Sequence, residues 1–82
     1  MNVFIQLHRV KVSINEEPYF SPILVNIREI IAVEPTAHEG CHSEVFITNP
    51  QKQMVFHPLY CRESYMDILK LLEEKGVDII HP

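Results

Sequence analysis

The segment His38-Glu39-Gly40-Cys41-His42 holds the densest cluster of residues that can bind a metal or move a proton. Its His-Glu-x-x-His spacing is that of zinc metalloproteases, in which a helix places both histidines on one face and the glutamate acts as the base. The nearby Pro35 and the glycine inside the motif disfavour such a helix. The alternatives are a zinc site formed by His38, Cys41 and His42, or a polar surface loop rich in histidine. We favour the loop and predict no metal and no cofactor.

Cys61 is the second candidate for chemistry, because it lies beside Arg62 and close to the start of a helix. Both features lower the pKa of a thiol. A nucleophilic cysteine also needs a positioned base, and His57 is only near in sequence. A cysteine in such a place is more often a small buried hydrophobe. We therefore expect no catalytic residue and a protein that is not an enzyme.

The arginines and some of the aromatic residues form a candidate binding set. Arginine makes bidentate contacts with phosphate and carboxylate, and a stacked tyrosine beside it could help to hold an anionic nucleotide between subunits. The alternative, which we favour for the arginines, is solvated or salt-bridged surface residues. Two aromatics in a proline-bounded loop either anchor a partner or seal one end of the sheet. The set is Arg9, Tyr19, Phe20, Arg28, Tyr60 and Arg62.

Composition limits the function classes. The chain has 82 residues, 46% of them hydrophobic and 22% charged, which is typical of one folded domain spanning residues 1–82. A net charge of −4 argues against a nucleic-acid binder and against attraction to anionic lipid. The first residues do not resemble a signal peptide, and no apolar run is long enough to span a bilayer. With two cysteines expected as free thiols, we predict a cytoplasmic protein that does not bind membranes.

Apolar periodicity predicts strands at residues 3–14, 23–25, 30–34, 45–47 and 53–57. In the first strand the apolar residues change from odd to even positions, which predicts a bulge near His8-Arg9. Residues 15–22 are expected to form a loop, 26–29 a tight connection, and 49–52 a hairpin turn, with Pro58 ending the fifth strand. The nearly continuous apolar runs of the second and third strands suggest burial on both faces.

The last element is predicted to be an amphipathic helix over Tyr65–Lys75. Ser64 and Asp67 resemble a capping box, and Gly76 suits a left-handed helix end. The spacing places four apolar residues on one helix face: Tyr65, Ile68, Leu69 and Leu72. Residues 77–80 are expected to form a short strand or a docked tail. The predicted fold is α+β, with a small curved antiparallel sheet of about five strands covered by one C-terminal helix.

Three short motifs resemble the FlbD-type small flagellar proteins. They are the opening Ile5-Gln6-Leu7-His8-Arg9, the pattern Ile23-Leu24-Val25-Asn26 followed by Ile30-Ile31, and Arg62-Glu63-Ser64 at the start of the last helix. The resemblance covers roughly residues 3 to 73. It implies a small non-enzymatic accessory protein of the cytoplasm, and it brings no catalytic residue to this chain.

Our leading hypothesis is a non-catalytic binding module that self-associates through a strand edge or the helix, because so small a domain has a thin stability margin. Its partners would be itself and either another protein or a small anionic ligand. One alternative is an oligomeric phage-type protein that sequesters a nucleotide signal or inhibits a host defence factor. The other is a zinc-binding protein that uses the His38-Cys41-His42 loop.

Overall fold

The computed structural model describes residues 3–37, 40–48 and 57–80. Its elements are five strands, a short 3-10 turn (Ile27–Glu29) and one helix. The strands are β1 (Phe4–Lys11), β2 (Tyr19–Asn26), β3 (Ile30–Pro35), β4 (Ser43–Ile47) and β5 (His57–Cys61), and the helix is α1 (Tyr65–Glu74). All the strand pairs are antiparallel, which confirms the predicted α+β arrangement.

The five strands form one open sheet in the order β2-β1-β5-β4-β3. The two edge strands, β2 and β3, are joined only by the 3-10 turn. In a flat sheet the two edges would lie about 19 Å apart, at four strand spacings of about 4.8 Å. The four Cα steps from Asn26 to Ile30 can span at most about 14 Å. The sheet is therefore bent, as predicted, with a concave inner face and a convex outer face.

Helix α1 closes the inner face. Ile68 is fully buried and Leu72 is buried, and both belong to the core cluster with inner-face residues such as Leu7, Val45 and Leu59. Leu71 also packs against this cluster. Leu69, which the periodicity placed on the buried side, is only partly buried. The buried stripe is thus centred on Ile68 and Leu72.

Both ends of α1 follow their local signals. The Ser64 hydroxyl oxygen accepts a hydrogen bond from the backbone N–H of Asp67 at 3.1 Å. At the other end Gly76 has φ of 86°, and the N–H of Val77 donates to the carbonyl oxygen of Leu72 at 3.0 Å. This is the Schellman arrangement, in which glycine reverses the chain. Val77 and Ile79 then pack against the core, so the C-terminal segment is a docked tail.

The bulge predicted in β1 is absent, because β1 pairs with β2 in unbroken register from Phe4 to Lys11. Ile5, Leu7 and Arg9 therefore share the inner face, whereas Val10 lies on the outer face. Val12 and Ile14 follow the strand and are exposed. The change of phase is accommodated by placing an arginine on the inner face.

The prolines were the other source of error. Residues 19–22 were expected in a loop, yet they begin β2, with Pro22 in mid-strand. The opposite residue, His8, directs its N–H and C=O towards Glu63 and Arg62 on the β5 side. Pro22 therefore presents its missing N–H to the open edge, where a strand can tolerate it. Similarly, Pro58 lies within β5 instead of ending it.

Two further expectations concern burial and the predicted hairpin turn. Strands β2 and β3 are not covered on both faces, since Leu24 is 65% exposed and Ile31 is 48% exposed. Strand β4 does pair antiparallel with the next strand, from Ser43–Cys61 to Ile47–His57, but that strand shares only His57 with the predicted fifth strand. The turn at 49–52 and most of the predicted fifth strand, residues 53–56, lie outside the described residues.

Candidate functional site

One residue from each strand contributes to a row that crosses the inner face. The printed registers pair Ser21 with Arg9, Arg9 with Cys61, Cys61 with Ser43, and Ser43 with Pro35. We call these five residues the Arg9 row. Within the strands, fully buried Leu7 and Val45 lie two residues from Arg9 and Ser43 respectively. Polar groups are thus placed among core side chains.

Two polar atoms of the Arg9 row are buried without a hydrogen-bond partner in the described part of the chain. They are Nε of Arg9 and Oγ of Ser43, whose whole residue is 0% exposed. A buried hydroxyl or N–H without a partner is unfavourable by about 1–3 kcal/mol. The row therefore holds two donors that the described residues do not satisfy.

The two thiols of this region are buried and protonated. Cys61 is 0% exposed and Cys41 is 2% exposed. Burial, followed by the nearby Glu63 and Cys41, raises the pKa of Cys61 to about 12, although the adjacent Ser43 hydroxyl favours the thiolate slightly. That hydroxyl is beside the sulfur, but it forms no hydrogen bond of ordinary geometry. A nucleophilic Cys61 would require a lowered pKa, so the raised pKa disfavours that role.

His8 and Glu63 form a pair that links β1 to the entry of α1. The Glu63 carboxylate accepts the backbone N–H of His8 at 2.8 Å and lies 2.6 Å from its Nδ1. Burial alone raises the pKa of Glu63, but the hydrogen bonds from the side chain and backbone of His8 outweigh it, so the pKa lies below its usual value. An ionised carboxylate can only accept, so Nδ1 carries the proton.

The structure brings some of the candidate binding residues together and separates others. Arg62 lies over the ring of Phe20, with its guanidinium carbon 5.9 Å from the ring centroid. Tyr60 lies on the same outer face, whereas Arg9 is on the inner face. Within one subunit, the arginines therefore do not line a single pocket.

The remaining candidates lie at the periphery. Tyr19 begins β2 and is 48% exposed, so it does not seal the sheet. Arg28 is exposed in the 3-10 turn, and its N–H donates to the side chain of Asn26 at 3.0 Å. Asn26 pairs with Phe4, at the opposite end of the hairpin from Tyr19. Arg28 and Tyr19 are therefore not neighbours.

The proposed zinc ligands are only partly described. Cys41 is buried and the adjacent His42 is exposed, while His38 lies outside the described residues. Across residues 3–37, 40–48 and 57–80, no group of three or more His, Cys, Asp or Glu side chains is placed to hold a metal ion. The described neighbours thus provide no ready set of ligands around Cys41.

Sequence reasoning missed Ser43, Glu63 and the role of His8. A signal for Ser43 exists, because it alternates with Val45 and Ile47 on the buried face of β4. Glu63 and His8 are 55 residues apart, and no local pattern connects them.

Searches of family models, curated proteins and solved structures found no match to this chain. Within the described residues, no helix has the length and apolarity needed to cross a membrane.

Proposed function

We propose that this protein is a non-catalytic binding module that self-associates through the outer face of its β1–β2 hairpin. The carrying observation is the absence of any Asp, Glu, Lys or Arg among the eight outer positions of these two strands. We call this surface the hairpin face. It consists of Phe4, Gln6, His8, Val10, Phe20, Pro22, Leu24 and Asn26.

The hairpin face is open and partly apolar. Phe4 is 49% exposed and Leu24 is 65% exposed. Leu24 pairs with Gln6, so Leu24 and Phe4 are diagonal neighbours on two adjacent strands. Helix α1 packs on the inner face, so it does not cover this side. Exposed apolar side chains that cluster in this way are typical of interaction surfaces.

Charge restricts where two copies of the chain can meet. Each copy carries a formal net charge of −4, so two copies repel one another over most of their surfaces. No Asp or Glu of β1 or β2 lies on the hairpin face, so two copies can meet there without desolvating one of them. The charged groups that touch the face come from the segment after β5: Arg62 lies over Phe20, and Glu63 is paired with His8. A face of eight positions covers about 260 Å² of sheet, taking about 33 Å² for each position.

This area is smaller than the roughly 800 Å² per partner of a standard stable interface. The outer side of β5 and β4 continues the surface through Pro58, Tyr60 and Phe46, and the acidic Glu44 opposite Tyr60 limits it. Even with these residues the contact belongs to the small class, so we expect a concentration-dependent dimer. Edge-to-edge pairing through β2 is less favourable, because Pro22 removes a donor from the middle of that edge.

The assignment of a non-catalytic role has its own support. The Cys61 thiol is protonated at neutral pH, which disfavours nucleophilic chemistry there. The FlbD-type resemblance also implies an accessory protein without catalysis. Two buried free thiols suit a reducing compartment, and we therefore propose a cytoplasmic location.

The test is sedimentation equilibrium of the full chain from micromolar to millimolar concentration. Leu24→Lys places a charge on the hairpin face at a side chain that is already 65% exposed. Ile14→Lys is the matched control, since Ile14 is 100% exposed and lies beyond the end of β1. We expect the native chain and Ile14→Lys to dimerise and Leu24→Lys to remain monomeric. A native chain that stays monomeric at the highest concentration, or equal dimerisation of both variants, would refute the proposal.

A further inference from the structure

We propose that the Arg9 row is a binding site for one small oxyanion, a phosphate or carboxylate group, held between Arg9 and Ser43. The site is independent of self-association, because the row lies on the inner face and the hairpin face lies on the outer one.

The donors that an oxyanion needs are present and unused. Nε of Arg9 and the hydroxyl of Ser43 are both buried, and neither has a hydrogen-bond partner among the described residues. Ser21 is opposite Arg9 and offers a further hydroxyl on the same face. An anionic oxygen accepts from each of these groups, and a guanidinium matches phosphate and carboxylate geometry in particular. One bound group would thus satisfy atoms that are otherwise left without partners.

The charge balance of the row favours an anion. Arg9 is its only charged member, and Cys61 between the two donors is a neutral thiol. The described acid that influences Cys61 is Glu63, and its carboxylate is engaged by the His8 side chain and backbone. Among the described residues, Arg9 forms no salt bridge. Its positive charge therefore has no internal carboxylate partner in that part of the chain.

The spacing of the strands fits a ligand of this size. Arg9 and Ser43 lie on strands two spacings apart, about 9.6 Å between backbones. An oxyanion about 2.3 Å across, measured between two of its oxygens, can accept one hydrogen bond of about 2.9 Å on each side. The two donor atoms then lie roughly 8 Å apart. Side chains that project from a concave face converge, and the small Cys61 separates them. The span is consistent with one oxyanion and is too short for a bulky group between the two donors.

The experiment titrates the full chain with inorganic phosphate or with acetate, and keeps the ionic strength constant with chloride. Two readouts follow binding: the melting temperature and the NMR signal of the Arg9 Nε–H. Arg9→Met keeps the aliphatic stem and removes the donor, and Ser43→Ala removes only the hydroxyl. Arg28→Met is the matched control, because it removes an exposed arginine that is remote from the row.

We expect at least one anion to raise the melting temperature of the native chain and of Arg28→Met, and to shift the Arg9 Nε–H signal. Ser43→Ala should weaken binding by about tenfold or more, as for the loss of a hydrogen bond to a charged group. Arg9→Met should abolish it. The preferred anion identifies the oxyanion class. An unchanged Nε–H signal with both anions, or equal losses in Arg28→Met and Arg9→Met, would overturn the proposal. Ser43→Ala keeps the test valid if Arg9→Met does not fold.

Discussion

Replacing Glu63 by alanine tests whether the His8–Glu63 pair holds β1 to the start of α1. The change removes the acceptor of the His8 backbone N–H and of its Nδ1–H. Hydrogen bonds to a charged group are worth about 1.5–3 kcal/mol each. The side chains of His8 and Glu63 are 26% and 16% exposed, so water can replace part of this interaction. We therefore expect the free energy of unfolding to fall by about 2–3 kcal/mol, which for a domain of this size lowers the melting temperature by roughly 10–20 °C.

Glu63→Gln separates the charge from the hydrogen bond. Its amide oxygen can still accept the backbone N–H of His8, so about half of the loss is expected. Because the hydrogen bonds from His8 lower the pKa of folded Glu63 despite its burial, the ionised Glu63 carboxylate stabilises the fold above its ordinary pKa of 4.5. This contribution is lost as the pH falls through the lower pKa of the folded state.

The measurement is urea unfolding, followed by circular dichroism, at neutral pH and in steps into acid. The difference in unfolding free energy between the native chain and Glu63→Gln should be largest near neutrality and should shrink below pH 4.5. A Glu63→Ala variant within about 0.5 kcal/mol of the native chain would contradict the reasoning, because surface changes without a structural role fall in that range. A difference that is independent of pH would show that the carboxylate charge contributes nothing.

Three further substitutions test the core, the row and the helix end, each by urea unfolding at neutral pH. Ile68→Ala should lower the free energy of unfolding by about 2–5 kcal/mol, because Ile68 is fully buried. Leu69→Ala should lower the free energy of unfolding by clearly less. Equal losses in the two variants would mean that the buried stripe of α1 is wrongly placed. Ser43→Ala in anion-free buffer should raise the free energy of unfolding by about 1 kcal/mol, because the substitution removes a buried hydroxyl without a described partner. A lower free energy of unfolding would show that the hydroxyl has a hydrogen-bond partner. Gly76→Ala should lower the free energy of unfolding by about 1–2 kcal/mol. The cause is the backbone φ of 86° alone, because no atom lies within 4 Å of the added methyl group. An unchanged free energy of unfolding would argue against the left-handed helix end.

Local signals allowed α1 to be predicted from the sequence. The Ser64 cap, the apolar spacing and Gly76 each act within a few residues, so their effect does not depend on the rest of the chain. The antiparallel α+β arrangement also followed from short alternating segments and short connections. The boundaries of β2 and β5 could not be predicted, because Pro22 and Pro58 are tolerated only at particular places in the finished sheet. Which edge of a strand faces solvent is decided by its neighbours.

The candidate site was predictable only in part. Arg9 belonged to the expected binding set, but its companions Ser43 and Ser21 are brought to it by strand order and register. The expected grouping of Arg9 with Arg28 and Arg62 depended on residue type, and residue type carries no information about the face of a sheet. Glu63 reaches His8 across 55 residues, a contact that only the folded chain creates.

In β1 the apolar residues change from odd to even positions, and this one feature of the sequence accounts for both proposed surfaces. A bulge at His8-Arg9 would have turned Val10 inward and left Arg9 outside, giving an ordinary amphipathic strand. In the unbroken register, Arg9 is instead on the inner face and Val10 on the outer face. The first placement puts a cation in the same row as the buried Ser43 hydroxyl, and the second adds an apolar residue to the hairpin face. If Arg9 served only to fill space, Arg9→Met would raise the stability of the anion-free chain and change nothing else. Loss of oxyanion binding in the same variant would show that the unusual register serves recognition.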